Sequence, residues 1–368
     1  MKIGVIGTRG FPEIQGGVET HCHELYTRLS AYDDTKIIVY RRKPYITEKN
    51  RKSDNKNIRF VDFRVPKSMY FETFLHSFYS AMHALFQNYD IIHIHNIGPG
   101  FFIPILKLSG AKIVLTYHSI SYQHLKWNYF AKQFLHLSEK ISLPHSDFVI
   151  FISKVIEAEM VKKYGIRNHK YISNGVNIPE KSAGTDFLES LGLESNKYII
   201  AVGRYLEEKG FDYLISAFRK LDQQDYRLVI VGDSDYVTPY SKKFKAFAQE
   251  NGVVLTGFIK GEKLNQIFSH AKLFVMSSFS EGLPIALLEA MSYNLDVLVS
   301  DIPANLQIGL NETDYFRVGD EDDLAGKLKY KLTGERQYNY QEILLKNFNW
   351  EKIAAETYDI YRDLLEKR

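Results

Sequence analysis

Short runs of apolar residues recur along the chain, and each is followed by a stretch in which apolar residues return every three or four positions. Lys2–Gly7, Lys36–Tyr40, Ile58–Phe63, Ile91–Ile94, Ile113–Tyr117 and Phe148–Ile152 read as strands. Gly17–Ser30, Tyr70–Gln87 and Tyr129–Ile141 read as helices between them. The strand runs are unbroken rather than alternating, the mark of a parallel sheet covered on both faces. The pattern then restarts. Tyr198–Gly203, Arg227–Gly232, Val253–Leu255, Leu273–Met276 and Val297–Val299 read as strands. Gly210–Leu221, Ser241–Glu250, Lys263–His270 and Pro284–Ser292 read as helices, and Trp350–Glu366 as a helical tail. The expected fold class is α/β: two Rossmann-like, doubly wound parallel-sheet domains facing a cleft, at 1–180 and 190–349. Ser173–Ser195, with its Asn-Gly, Pro and Ser-Ala-Gly, reads as the linker.

A chain of 368 residues is too long for one ordinary core, which agrees with two domains. Its one cysteine, Cys22, excludes an internal disulfide and fits a reducing compartment. Met1–Gly7 breaks at once into Thr-Arg-Gly, so no signal peptide is read. No apolar run approaches the roughly 18 residues needed to span a bilayer. A cytoplasmic protein is expected. Charge divides unevenly: 24 Lys and Arg stand against 15 Asp and Glu up to residue 180, and 23 against 29 beyond it. Eleven of the twelve histidines also precede residue 180. Two readings stand. The surface is merely unevenly solvated, or a basic N-terminal face meets an anionic lipid-linked acceptor and rests on the inner face of a membrane. A pI of about 8.5 and the lack of a recognition module speak against nucleic acid.

The first strand leads into Gly7-Thr8-Arg9-Gly10-Phe11-Pro12 and then Gly16-Gly17-Val18-Glu19, a glycine-rich entry to a helix that suits a phosphate or a bare tight turn. It lacks Gly-x-Gly-x-x-Gly spacing, and the second strand ends in Arg41-Arg42 with no acid for a ribose. Those arginines suit a 2′-phosphate, so a reductase stays open at this point. The second half is more pointed. Gly203-Arg204 ends a strand and Lys209-Gly210 opens a helix, placing two cations where a diphosphate can sit. Glu281 and Gly282 precede a helix with Pro284 in its first turn and Glu289 along its flank. That helix is apolar enough to be buried, and a buried acid needs a partner.

Gly203-Arg204, Lys209-Gly210 and Glu281-x7-Glu289 resemble glycosyltransferase family 4 with its GT-B fold, over nearly the whole chain. The first loop is similar to a bacterial rhamnosyltransferase-like subgroup. The resemblance implies that Arg204 and Lys209 hold the donor diphosphate and stabilise the leaving charge. Glu281 would contact the donor sugar, and Glu289 the ribose. Gly203, Gly282, Leu283, Pro284 and Ile285 would face donor, with the base near Phe258 and Ile259. Gly16 and Gly17 would let the first loop approach donor phosphate and acceptor. His118 would lie beside the reacting sugar, with Glu19, Tyr122, Lys126 and Trp127 on the acceptor side. The helix at 350–368 would cross back to the first domain. The family retains anomeric configuration and uses neither catalytic metal nor cofactor, the nucleotide-sugar being a substrate. The subgroup's His-Gly-Leu-Asp-Trp reads here His118-Ser119-Ile120-Ser121-Tyr122, a departure bearing on the sugar and acceptor rather than on transfer itself.

The expected function is therefore retaining transfer from dTDP-rhamnose or a UDP-sugar to a saccharide or lipid-linked saccharide in bacterial surface polysaccharide synthesis. The alternatives are a sugar-nucleotide epimerase, an NADP-linked reductase and a non-catalytic nucleotide-sugar-binding protein. Asp233-Ser-Asp235 is read as a turn, not a metal site. His93 and His95 share a strand face and are expected to line the cleft. The aromatic, lysine-bearing stretch at 117–141 fits either core packing or a sugar- or membrane-facing surface.

Overall fold

The computed structural model describes residues 1–68, 71–120, 122, 128–221, 225–234, 236–334 and 339–367. The chain forms two compact units, Met1–Gly175 with Asn349–Arg368, and Val176–Phe348. The first holds β1 (Lys2–Ile6), β2 (Lys36–Arg42), β3 (Ile58–Phe63), β4 (Ile91–His95), β5 (Lys112–Tyr117), β6 (Phe148–Phe151) and β7 (His169–Tyr171). The second holds β8 (Tyr198–Val202), β9 (Arg227–Val231), β10 (Val254–Gly257), β11 (Leu273–Met276), β12 (Val297–Ser300) and β13 (Tyr315–Phe316). The sheet orders are 3-2-1-4-5-6-7 and 10-9-8-11-12-13. Each order reverses beside its first strand, between β1 and β4 and between β8 and β11. In open parallel sheets ligands bind outside the strand carboxyl ends at such a reversal.

Both faces of the first sheet are covered, which explains the unbroken apolar runs. Ile92, Ile94, Ile113 and Leu115 pack toward Ile103, Leu106 and Leu143. Ile3, Val5, Ile37 and Val39 pack toward Cys22, Leu25 and Tyr26 of the Gly17–Leu29 helix and toward Ile353, Ile360 and Tyr361 of the terminal Trp350–Glu366 helix. Strand alternation therefore aims His93 and His95 at this second layer. In the other unit Ile199, Ala201, Leu228 and Ile230 pack with Leu214, Phe244 and Leu328.

Two edge strands escape the apolar pattern. His169–Tyr171 is only partly covered, and β13 is two residues long. The expected linker is also more structured than its composition suggests. Asp186–Ser190 is a helix, held by Gln266, which accepts from the Phe187 amide at 3.0 Å and donates to Asp186 at 2.8 Å. No helix among the described residues is long and apolar enough to cross a membrane.

Candidate functional site

In the C-terminal unit the residues singled out in the sequence gather at the β8/β11 reversal. Lys209 follows β8, Glu281 follows β11, and Lys209 Nζ donates to Glu281 Oε1 at 2.6 Å. Both side chains are less than one-fifth exposed. Ser278 Oγ donates to the same oxygen at 2.6 Å, and Ser277 Oγ to the Lys209 carbonyl at 2.9 Å. The Phe279 amide donates to the Glu208 carbonyl, so two loops 70 residues apart form one backbone-stitched surface. Gly210 makes this approach feasible. Its φ is +59°, and a Cβ there would lie 2.4 Å from the Ser277 carbonyl oxygen. Gly203 and Arg204 sit half-buried at the end of β8, with the Gly203 amide bonded to the Val231 carbonyl.

The helix after this loop spans Ile285–Ser292, and Pro284 caps it rather than entering its first turn. Leu283 and Pro284 are buried, while Gly282 and Ile285 are partly open. Leu287, Leu288, Ala290 and Met291 are buried as the apolar pattern requires, but Glu289 is not. Glu289 lies on the helix's half-open flank rather than on its buried face. Phe258 is 45% exposed just beyond β10, with Ile259 partly covered beside it. That edge is two strands from Gly203. Asp233 accepts from the Ser234 amide and pairs with Lys245 at 2.8 Å, as a turn aspartate does, and Asp235 lies outside the described residues.

The N-terminal reversal is built from different chemistry. Gly16 precedes the Gly17–Leu29 helix at φ +145°, and a Cβ there would fall 2.0 Å from Glu19 Oε2. Gly17 is exposed as the first residue of the helix. Glu19 is 6% exposed. Its Oε1 accepts from the Arg9 amide at 3.0 Å, from Arg9 Nε at 3.4 Å and from Thr8 Oγ1 at 3.5 Å. Burial pushes its pKa up, but the Arg9 charge and hydrogen bonds, with the charge of Arg42, outweigh burial and hold it below the usual range. In this arrangement Glu19 locks the first loop from inside.

His118, immediately after β5, is 6% exposed, and its Nε2 lies 2.9 Å from His95 Nδ1. His95 Nε2 meets Tyr26 Oη at 2.7 Å. His21, on the buried stripe of the first helix, bonds through Nδ1 to Asn174 Oδ1 at 2.7 Å and sets its ring edge-to-face with His118. His93 does not line an opening. It is fully buried, stacked 4.4 Å from His95, and bonded to Tyr361 Oη and Thr116 Oγ1. Desolvation, with the neighbouring imidazoles, holds His93, His95 and His118 well below the ordinary imidazole value, and burial takes His21 down to about 4.

Tyr122 is also committed within its unit. One ring face stacks on His136 at 3.7 Å, and its hydroxyl reaches Glu139, the fully buried acid that Lys163, Tyr117 and Tyr164 also contact. Lys126 and Trp127 lie outside the described residues. Arg9, His21, Asn174 and Ser278 were missed in the sequence. Only His21 left a signal there, a polar residue on the stripe Cys22, Leu25, Tyr26, Leu29.

Arg41 and Arg42 bear on the reductase alternative. Arg41 is fully buried, bidentate to Asp62 at 2.8 and 3.0 Å, and donates to the Asn50 carbonyl. Arg42 pairs with buried Glu72 at 2.9 Å. Neither guanidinium faces outward to hold a 2′-phosphate.

The N-terminal half matches a family model described as Glycosyltransferase Family 4 over residues 15–179, and the C-terminal half one described as Glycosyl transferases group 1 over 185–347. An uncharacterized glycosyltransferase of Methanocaldococcus jannaschii is 28% identical over 299 residues, 76% of this chain and 77% of its own length. The O-antigen chain mannosyltransferase of Salmonella typhimurium is 26% identical over 230 residues, 62% of each chain. Among solved structures, sucrose-phosphate synthase from Thermosynechococcus elongatus is similar with a TM-score of 0.83 at 22% identity, covering all of both chains. Anabaena HepE in complex with UDP-glucose gives 0.75 at 17%, again over all of both chains. At these identities the likeness is one of fold.

Proposed function

Because the chain belongs to glycosyltransferase family 4, with the GT-B fold, we propose that it transfers a sugar, with retention, from a nucleotide-sugar to a saccharide or lipid-linked saccharide acceptor. The observation that carries this reading is the joined set Lys209, Ser278 and Glu281 at the β8/β11 reversal, with Arg204 at the end of β8. As the bond from sugar C1 to diphosphate oxygen breaks, its electron pair stays on that oxygen. Arg204, Lys209 and the helix N-terminus at Ile285 are preorganised for that charge. The two cations supply the neutralisation that a divalent ion would otherwise give, so the reaction needs no metal. Glu281 holds Lys209 in place and accepts from donor sugar hydroxyls, and Glu289 accepts from the ribose. The acceptor hydroxyl adds to C1 on the face the diphosphate leaves, and its proton passes to the departing oxygen. His118, neutral at pH 7, donates to the sugar without adding charge.

The donor sugar is a hexose or rhamnose, on UDP or dTDP. UDP is supported by the UDP-glucose complex of the similar fold, and a surface-polysaccharide role by the O-antigen relative. A lipid-linked acceptor is supported by Phe71, Phe86, Tyr129 and Phe130, each at least 66% exposed on the basic half. Such a protein works at the inner face of a membrane without crossing it.

The deciding test offers UDP-, dTDP-, GDP- and ADP-sugars with and without EDTA, following melting temperature, nucleoside-diphosphate release and, with acceptor, the anomeric proton by NMR. One donor should stabilise and turn over, EDTA should abolish neither, and the product should keep the donor's anomeric configuration. Response to NADPH alone would overturn the reading, and consumption of donor to an epimer without acceptor would replace it.

A further inference from the structure

Three imidazoles from three elements converge in the N-terminal unit: His21 from the first helix, His95 ending β4, and His118 just past β5. They are 2%, 0% and 6% exposed. One ring nitrogen from each lies within 4.8 Å of the other two. The tautomer of His21 is fixed, because an amide oxygen only accepts: Nδ1 donates to Asn174 Oδ1, leaving the lone pair on Nε2. That Nε2 is buried with no hydrogen-bond partner. A lone pair stranded in a dry interior is a cost that something normally offsets.

We propose that His21 Nε2, His95 Nδ1 and His118 Nε2 bind one zinc-class transition-metal dication. Imidazole nitrogens on a tetrahedral zinc, at about 2.0–2.1 Å from the ion, stand about 3.3 Å apart. The present separations, 2.9 Å between His95 and His118 and up to 4.8 Å across the set, bracket that value. Outer partners that orient metal-bound imidazoles are in place: Asn174 behind His21 and Tyr26 behind His95. The proton now shared by His95 and His118 moves to the outer nitrogen of whichever ring carries it. Burial already keeps the three rings neutral, as ligands must be. His93 is excluded, since both its nitrogens are bonded elsewhere. Three imidazoles suit zinc, cobalt, nickel or copper, not magnesium or calcium, and leave a fourth position for water or a ligand. The site goes beyond sugar transfer. An ion there takes the His118 nitrogen that now meets His95, re-aims the ring, and lowers turnover as it loads.

The test strips the full chain with EDTA and titrates it with Co2+ alone, following the visible absorption of tetrahedral cobalt, then adds Zn2+. One equivalent should bind and be displaced by Zn2+. His21→Ala and His118→Ala should weaken binding at least a hundredfold, while the exposed His145→Ala leaves it unchanged. X-ray absorption of the zinc-loaded natural sequence should count three imidazoles and needs no variant to fold. Octahedral cobalt, binding that survives His21→Ala, or fewer than three imidazoles overturns the site. A protein that binds cobalt this way but transfers no sugar keeps the site and loses the transfer reading. One that transfers sugar but fails the cobalt test does the reverse.

Discussion

At the β1/β4 reversal the strand ends present imidazoles, while at the β8/β11 reversal they present an ammonium and a carboxylate. The topology is the same in both units. The difference lies in what each crevice retains when empty. His21, His93, His95 and His118 sit in a dry interior and stay uncharged, so that site offers neutral donors, acceptors and lone pairs. Lys209 and Glu281 answer each other at 2.6 Å, so that site offers an ion pair. Parallel strands fix where chemistry can be placed, and burial fixes whether it is charged.

The widest separation between the units should come in acid. His21, His76, His93, His95 and His118 all have pKa values lowered in the first unit, His21 to about 4 and His76 to about 3. For His76 burial leads and the Arg42 charge adds to it. Between pH 6.5 and those values the unfolded chain binds protons the folded one does not, so stability falls as pH falls. At pH 5 the loss is about 2 kcal/mol each for His21 and His76, and the other three act in the same direction. The second unit contains one histidine, His270. Both tryptophans, Trp127 and Trp350, belong to the first unit. In EDTA, tryptophan fluorescence should therefore report unfolding at higher pH than far-ultraviolet circular dichroism does for the whole chain. Coincident transitions would erase the contrast.

Turnover should divide in the opposite sense. Glu281→Ala is expected to lower turnover at least a hundredfold, about 2.7 kcal/mol, with the melting temperature nearly kept. Survival within tenfold would remove Glu281 from the chemistry. His118→Ala should cost roughly tenfold, about 1.4 kcal/mol, because a neutral donor contributes less than a held charge. If the order is reversed, the N-terminal crevice carries more of the transition state than proposed.

Glycine substitutions sharpen the same contrast structurally. Gly210→Ala forces a Cβ onto a carbonyl of the stitched backbone and should cost about 1–3 kcal/mol in stability together with donor affinity. Gly16→Ala meets the Glu19 carboxylate and the Arg9 guanidinium rather than backbone, but at a φ of +145° that alanine rarely adopts, so its melting temperature should fall as well. The smallest effect is expected from Asp233→Asn. Its pair with Lys245 is about half exposed, and both stability (within about 0.5 kcal/mol) and turnover should hold, with or without EDTA. A loss of turnover restored by a divalent ion would return Asp233 to a metal role.

The sequence made the two sheets legible because fully covered parallel strands must be continuously apolar, and Val-Ile runs as in Arg227–Val231 have few other uses. It hid β7 and β13, since edge strands bury one side at most and carry little pattern. Arg204, Lys209, Glu281 and Glu289 were legible because each stands at a fixed offset from a glycine, a proline or a strand end. The burial of Glu289 was misjudged, since an apolar composition does not say which flank of a helix stays open.

By itself, the sequence determined local geometry: where strands stop, where Gly210 and Pro284 must punctuate, and which residues meet the carboxyl ends of strands. Tertiary structure decided the partnerships. Lys209 and Glu281 are 72 positions apart, and His21, His95 and His118 span nearly a hundred. They meet because strand order, not chain order, sets neighbours in a doubly wound sheet. Protonation followed the same rule, because whether an imidazole is neutral depends on the water removed around it, and that is known only once the layers close.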